Sequence, residues 1–366
     1  MKLVGYFEKV AKRAHSLTKL EISQLASVSL LGSKEVARRI IPLLYDQRVK
    51  IENIFDNNSA RQGLLFESFR VKPLVHTDHK VIVCAYNSNE IIREIAGDVD
   101  AIAWDHLIAH EAFKKFLPWN CYSLDEHHLF SNIEQYQSIY DRCVDDESRN
   151  ELLLQIESRY FVSTLKQAPI SNELEFCSQK YTNLSAESVI LDGGAYNGDT
   201  AERFINFCMA QHNVKPHIVC VESDLLSVGR LVEKYALDHG VTILNGFLSS
   251  KNSIVPVGLT GEVNNSRQIK TSKTQAGSLV QACTLDQISS IYEINFAKLD
   301  IEGGEFDALL GAQNLIRTKK CTFAISVYHK VEDLLSLSKF FEDGYGFGFS
   351  AYAQRPWDSV MYAIPN

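Results

Sequence analysis

Apolar positions along the chain follow two alternating patterns. Short continuous apolar runs, the signature of strands buried on both faces, are each followed by stretches with apolar residues at helical spacing. The first alternation is "SVSLLGSKEVARRIIPLL": an apolar run through Leu31, a turn at Gly32, then Val36, Ile40, Leu43 and Leu44 on one helix face. It continues into "VKIENIFDNNSARQG", a second strand ending on Asp56, and "HKVIVCAYNSNEIIREI", a third strand with its helix. Strand, turn and helix in this order predict a small Rossmann-like unit over residues 1–105. Residues 106–187 read as mostly helical and polar, as in "DDESRNELLLQIESRYFVSTL", and lack the Gly/Ser-rich composition of a linker.

The second alternation is longer. "SVILDGG" predicts a strand ending in Asp192, "HIVCVESD" one ending in Glu222, and "VTILNGFLSS" a third. "FAKLDIEGGEFDALLGAQNLI" and "CTFAISVYH" follow, and "GFGFSAY" and "SVMYAIP" close the chain as an antiparallel pair. Five strands with crossovers and a terminal hairpin are the plan of a class I methyltransferase sheet. The expected fold is therefore α/β, with a mostly parallel C-terminal sheet over residues 188–366 preceded by the smaller Rossmann-like domain and the helical connection.

Composition narrows the partners. With 37 Lys and Arg against 45 Asp and Glu, a net charge of -8 offers no footprint for nucleic acid or anionic lipid. The 8 cysteines form no CxxC pair and several sit inside apolar runs, which suits a reducing, cytoplasmic setting. No apolar stretch is long enough to cross a bilayer. Self-association into a homo-oligomer stays open.

The first glycine turn is a poor nucleotide site. It has one glycine where the dinucleotide fingerprint has three, and Ser33, Lys34 and Glu35 crowd the turn. A scaffold or recognition domain is the better reading, with Asp56 and Asn57 capping a turn. His106 and His110 have the spacing of a two-histidine metal site but no evident third ligand, and His127–His128 reads as loop. Asp300, Glu302, Glu305 and Glu222 could also be read as an acidic cluster for a divalent cation, but no metal centre is expected.

"ILDGGAYNGDTAERF", "VESD", "TLDQI", "AKLDIEGGEFDALLGA" and "ISVYHK" occur in the order and spacing of the FkbM-type S-adenosylmethionine-dependent methyltransferases, which the chain resembles over residues 155–364. "GSKEVARRI" and "NIFDNNSARQG" also look like the small Rossmann domain that precedes the catalytic domain in some members. The resemblance implies S-adenosylmethionine as cofactor and O-methylation of a sugar or glycan precursor, in surface polysaccharide or lipopolysaccharide biosynthesis. A NAD-dependent nucleotide-sugar-modifying enzyme and a non-catalytic binding or assembly protein of the same fold are the alternatives.

On this reading Gly193 and Gly194 admit the cofactor's amino-acid tail, Gly198 closes the turn, and Asp192 meets its ammonium directly or through water. Ala195, Asn197, Asp199 and Thr200 line the turn, the last three as helix caps or as contacts to the methionine portion. Glu222 accepts the ribose hydroxyls, with Ser223 beside it; Asn245 and Gly246 flank the adenine, where Phe247 is more readily core. Asp300, Glu302 and Glu305 orient the acceptor, hold the tail or cap a helix, while Asp286 is expected to cap its own helix. His329, at the end of the fifth strand, is expected to be the general base or to position the acceptor, since histidine offers an unperturbed pKa near neutrality. Tyr328 is expected only to pack beside it. Asp300 and His329 are thus the catalytic candidates.

Overall fold

A computed structural model describes residues 1–17, 25–85, 88–104, 107, 125–161, 170–182, 184, 185, 187–259, 269–271, 278–318, 320–341, 344–353 and 355–366. The chain divides into two units: residues 1–137, 153–169 and 353–356 form one, and residues 138–152, 170–352 and 357–366 the other.

The first unit carries a four-stranded parallel sheet of β1 (Ser27–Leu31), β2 (Lys50–Phe55), β3 (Lys80–Val83) and β4 (Ala101–Ala103), in the order β2-β1-β3-β4. Leu31, Phe55, Val81 and Val83 are buried against Ile95 and Val99, which is why these runs read as continuously apolar. At the first turn Gly32 has φ 108 and its neighbour Ser33 donates from both N and Oγ to Asp56 Oδ2, at 2.9 and 2.6 Å. Asp56 Oδ1 accepts from Asn58 N. The acid that would hold a ribose in a dinucleotide site instead closes the turn on itself, as the single glycine foretold. His106 and His110 lie outside the described residues. His127 and His128 are helical, not loop: their backbone N–H groups are capped by Asp125, and His128 Nδ1 lies 2.7 Å from the Tyr160 hydroxyl.

Within 106–187 the described helices are Glu126–Ser131, Ile133–Asp141 and Asp146–Tyr160. Residues 170–182 form turns where helix was expected. There Ser171 and Ser178 accept from the backbone N–H two residues on, an alternative that competes with helix.

The second unit holds ten strands: β5 (Val189–Gly193), β6 (His217–Glu222), β7 (Val241–Leu248), β8 (Ser253–Leu259), β9 (Ile269–Thr271), β10 (Ser278–Cys283), β11 (Phe296–Leu299), β12 (Thr322–Ser326), β13 (Tyr345–Ala351) and β14 (Ser359–Pro365). Their order is β9-β8-β10-β7-β6-β5-β11-β12-β14-β13. The run β7-β6-β5-β11-β12 is parallel and β14 joins it antiparallel, as the sequence pattern predicts. β8, β9 and β10 extend the sheet beyond that expectation, β10 pairing parallel to β7 and β8 antiparallel to β10.

Every residue of β11 and β12 is buried, and Ile190, Ile218, Cys220, Phe204 and Phe296 form one core on the face toward the helix Asp199–His212. The strand order brings the C-terminal ends of β6, β5, β11 and β12 side by side. In parallel α/β sheets that edge is where ligands bind. The seven cysteines among the described residues are unpaired and buried. No helix among the described residues is long and apolar enough to cross a membrane.

Candidate functional site

Five carboxylates, of Asp192, Glu222, Asp300, Glu302 and Glu305, and His329 stand at or just past the C-terminal strand ends, delivered by separate chain segments. Asp192, predicted to face a ligand ammonium, is fully buried and sits 3.0 Å from the ammonium of Lys298, its register partner on β11. Lys298 Nζ also donates to the carbonyls of Gly193 and Gly194, at 3.1 and 2.8 Å. Burial opposes the charge on Lys298, but Asp192 and Asp300 outweigh it and hold its pKa above the ordinary lysine value. Asp192 thus pairs with Lys298, whose other two bonds hold the turn.

The glycines also act differently from expectation. Gly194 has φ 75, and a Cβ there would collide with the Asp300 carbonyl; one on Gly193 would meet the Leu248 side chain. Both let β5 lie against its neighbours, so the missing side chains serve sheet packing before they serve a ligand. Gly194 N and Ala195 N both donate to Val221 O, and Ala195 is buried. Gly198, at φ 79, leaves room for Leu231 and Tyr235, and the Tyr235 hydroxyl donates to its carbonyl. Gly246 is buried where a Cβ would meet the Gln281 carbonyl of β10, so its missing side chain seats the sheet extension.

Asn197 Oδ1 accepts from Asp199 N, and Asp199 Oδ1 from Thr200 N. These are turn-closing bonds at the helix start, the capping alternative, and Thr200 is buried. Asp286 caps a helix other than its own: its carboxylate accepts from Asn314 N and Leu315 N at the start of Gln313–Thr318, while Thr284 caps Leu285–Ser289.

Glu222 stands at the end of β6 and holds both adjoining turns. Its Oε1 accepts from Ser223 N and Asp224 N at 2.8 and 2.7 Å, and its Oε2 from Tyr196 N at 2.8 Å. The Ser223 hydroxyl adds a long contact to Oε1 at 3.5 Å. A carboxylate oxygen offers about two acceptor positions, so the one left open is on Oε2. Asn245, aligned with Glu222 across β6 and β7, donates from Nδ2 to the Glu222 carbonyl. Tyr196, which pattern reading missed, is exposed at φ 46 with the Arg230 guanidinium 6.0 Å from its ring centroid.

Beyond β11 the chain turns through Asp300, Glu302 (φ 56) and Gly303 (φ 94) into the helix Glu305–Leu310. Glu305 is turned inward, 1% exposed, with Oε1 accepting from Ile301 N at 2.9 Å and Gly303 N at 3.4 Å. His329, just past β12, is 10% exposed; its Nδ1 lies 3.0 Å from Glu305 Oε1, and its Nε2 3.6 Å from Asp300 Oδ1 and 3.9 Å from Glu302 Oε2. Burial lowers the imidazole pKa, but Glu305, Asp300 and Glu302 more than reverse that and raise it to about 9. The unperturbed base expected from sequence is thus a cation at neutral pH. Tyr328 does more than pack: its hydroxyl donates to Asp300 Oδ1 at 3.2 Å, and its ring lies 4.4 Å from that of His329.

Two further acids belong here that carry no motif. Glu175, paired with Arg203 at 3.1 Å, has its pKa raised to about 7 by burial and by the charges of Asp358 and Asp300. Asp358, from the turn before β14, is raised by burial and by Asp300. Such an excess of negative charge fits a cationic ligand. The raised Glu175 pKa has a sign: folding favours its protonated form, so the stabilisation is present below about 4.5 and is lost as pH rises through about 7. Glu175→Gln is expected to match wild type at pH 5 and to exceed it by about 2–3 kcal/mol at pH 8. Urea unfolding at the two pH values checks this; a constant difference would contradict it.

Residues 192–345 match the family described as the Methyltransferase FkbM domain. Among curated proteins none matches the chain. Among solved structures the chain is similar to the methyltransferase FkbM of Methylobacillus flagellatus KT, at 16% identity and TM-score 0.70 over 98% of each chain, a likeness of fold. It is also similar to Aeropyrum pernix fibrillarin in complex with S-adenosyl-L-methionine, at 10% identity and TM-score 0.29 over 53% of this chain and 70% of that one.

Proposed function

We propose, from the premise that residues 192–345 are an FkbM-type methyltransferase domain using S-adenosylmethionine, that this chain methylates a hydroxyl of a sugar or glycan precursor. The observation that carries this reading is the strand-end arrangement: Glu222 on β6, Asp300 after β11 and His329 after β12 lie along one edge of a parallel sheet. When bound, S-adenosylmethionine supplies an electrophilic methyl group on a sulfonium, whose transfer needs an acceptor oxygen in line and relieved of its proton.

The chain's own groups divide that work. Glu222, with one acceptor position left, takes a ribose hydroxyl, and Ser223 and Asn245 keep its strand end in place. The Asp192–Lys298 pair fixes the Gly193–Gly194 turn, while Ala195, Asn197, Gly198, Asp199 and Thr200 shape the helix start beside it. Asp300 and Glu302, negative and open to solvent, face the positive end of the ligand. Asp300 receives the acceptor's proton, and His329 positions the acceptor oxygen.

A polyhydroxylated acceptor is supported by carboxylates beside aromatic rings. Asp300 accepts from Tyr328, whose ring lies 6.3 Å from that of Trp357, next to Asp358. Carboxylates accept from sugar hydroxyls, and aromatic faces cover the apolar side of a pyranose. We place the activity in surface polysaccharide or lipopolysaccharide biosynthesis in the cytoplasm, with residues 1–105 as a recognition domain, 106–187 as a connection and 188–366 as the catalytic domain.

Glu222→Ala is expected to weaken S-adenosylmethionine binding by about 1–3 kcal/mol, the scale of a lost charged hydrogen bond. Calorimetry measures it, and an affinity equal to wild type would remove the reading of this edge as the cofactor site.

A further inference from the structure

We propose that Asp300, Glu305 and His329 form a divalent-cation site whose remaining coordination positions face the acceptor hydroxyl. This rests on the methyltransferase reading for its purpose but not for its geometry, and it reverses the expectation of no metal. Each of the three residues offers one donor atom, and these atoms all lie within 4.8 Å of one another. Only one ring nitrogen can bind the ion: Nδ1 lies 3.0 Å from Glu305 Oε1 and Nε2 lies 3.6 Å from Asp300 Oδ1, either of which is near the spacing that two donors on one ion require. Metal–ligand bonds of about 2.1 Å set at 90–109° place neighbouring donors roughly 3.0–3.4 Å apart.

Acidic residues alone would not carry this; the histidine does. Its ring is nine-tenths buried, yet neither nitrogen has a hydrogen-bond partner. The nearby carboxylate oxygens are close but out of line for an N–H. The carboxylates offset the charge of the ring, but two buried ring nitrogens without an aligned hydrogen-bond partner still cost free energy. A ligating histidine resolves this: the ring releases one proton to solvent on binding, one nitrogen takes the metal and the other keeps its N–H for a carboxylate. Both kinds of partner stand ready here, with Glu302 Oε2 on the exposed side.

The donor positions are also held in advance. Glu305 Oε1 is fixed by the N–H groups of Ile301 and Gly303, and Asp300 Oδ1 by the Tyr328 hydroxyl. Two carboxylates with one imidazole favour Mn²⁺ or Zn²⁺ over Ca²⁺, which prefers an all-oxygen shell. Three protein donors leave at least one position open. Asp300, 27% exposed, keeps that side accessible. A hydroxyl bound there becomes more acidic, as water does on such ions.

The test uses the full chain, stripped with EDTA and titrated calorimetrically with Mn²⁺ and, separately, Zn²⁺. One saturable site per chain is expected, with affinity reduced at least ~10-fold in Asp300→Asn and in His329→Gln and retained in Glu222→Ala. Thermal melts confirm that each variant is folded, and Glu305→Gln is avoided because that side chain also holds its own turn. No saturable binding of either ion, or binding unchanged in the two ligand variants, overturns the proposal. The same stripped protein is titrated with S-adenosylmethionine. Binding there without any metal site discards the cation alone, whereas a metal site without cofactor binding discards the function proposed above and leaves the cation site standing.

Discussion

His329→Gln is expected to keep S-adenosylmethionine affinity within about twofold of wild type and to lower kcat by ~10², the scale of misplacing the acceptor oxygen. The ring lies against Tyr328 and among the carboxylates of Asp300, Glu302 and Glu305, while Glu222, the candidate ribose acceptor, stands at the end of another strand. Glutamine keeps a polar side chain of similar reach but neither the charge nor the ring nitrogens. The loss should therefore appear in kcat with little change in cofactor binding. Steady-state kinetics with a methylated product as readout, beside calorimetry, separates the two. Turnover equal to wild type would remove His329 from the chemistry, and with it the acceptor side of the site as drawn.

The second large effect is on stability. Lys298→Met is expected to destabilise the fold by about 3–5 kcal/mol, because it leaves the Asp192 carboxylate buried with no counter-charge. It also takes a donor from the carbonyls of Gly193 and Gly194. Adding Asp192→Asn removes the stranded charge and should recover more than half of that loss, leaving the cost of the two carbonyls. Denaturant unfolding of wild type, the single and the double variant checks both. A single variant within ~1 kcal/mol of wild type would show that the pair is not holding the turn.

Much of the fold follows from local pattern. The runs ending in Asp192, Glu222, Leu299 and Ser326 are strands because they are short and mostly apolar, Lys298 being the exception, and such runs fit burial on both faces. Asp56 illustrates a subtler point: it was read with Asn57 as a turn cap, and its carboxylate does accept from Asn58 N, but it also accepts from Ser33 across the first turn. Strands β8 to β10 were missed because "NSIVPVGLT" and "GSLVQACT" mix apolar with small and polar residues, which weakens the apolar run that marks a buried strand.

Other features had no local signal. Nothing in "ELEFC" or "RPWDSV" ties Glu175 or Asp358 to the strand edge, yet both feel the charge of Asp300. Asp192 and Lys298 are far apart in sequence and become partners through the parallel register of β5 on β11, which turns a presumed ligand contact into a structural ion pair.

What the sequence determined by itself, then, is the succession of strands, turns and helices and the residue types that end each strand. Those depend on local periodicity and backbone preference. Tertiary structure decided which of those residues face one another, and so the protonation of His329, the enclosure of Asp192 and the single acceptor position left on Glu222. Charge and hydrogen-bond capacity are set by neighbours a few ångströms away, and in a parallel sheet those neighbours come from distant parts of the chain.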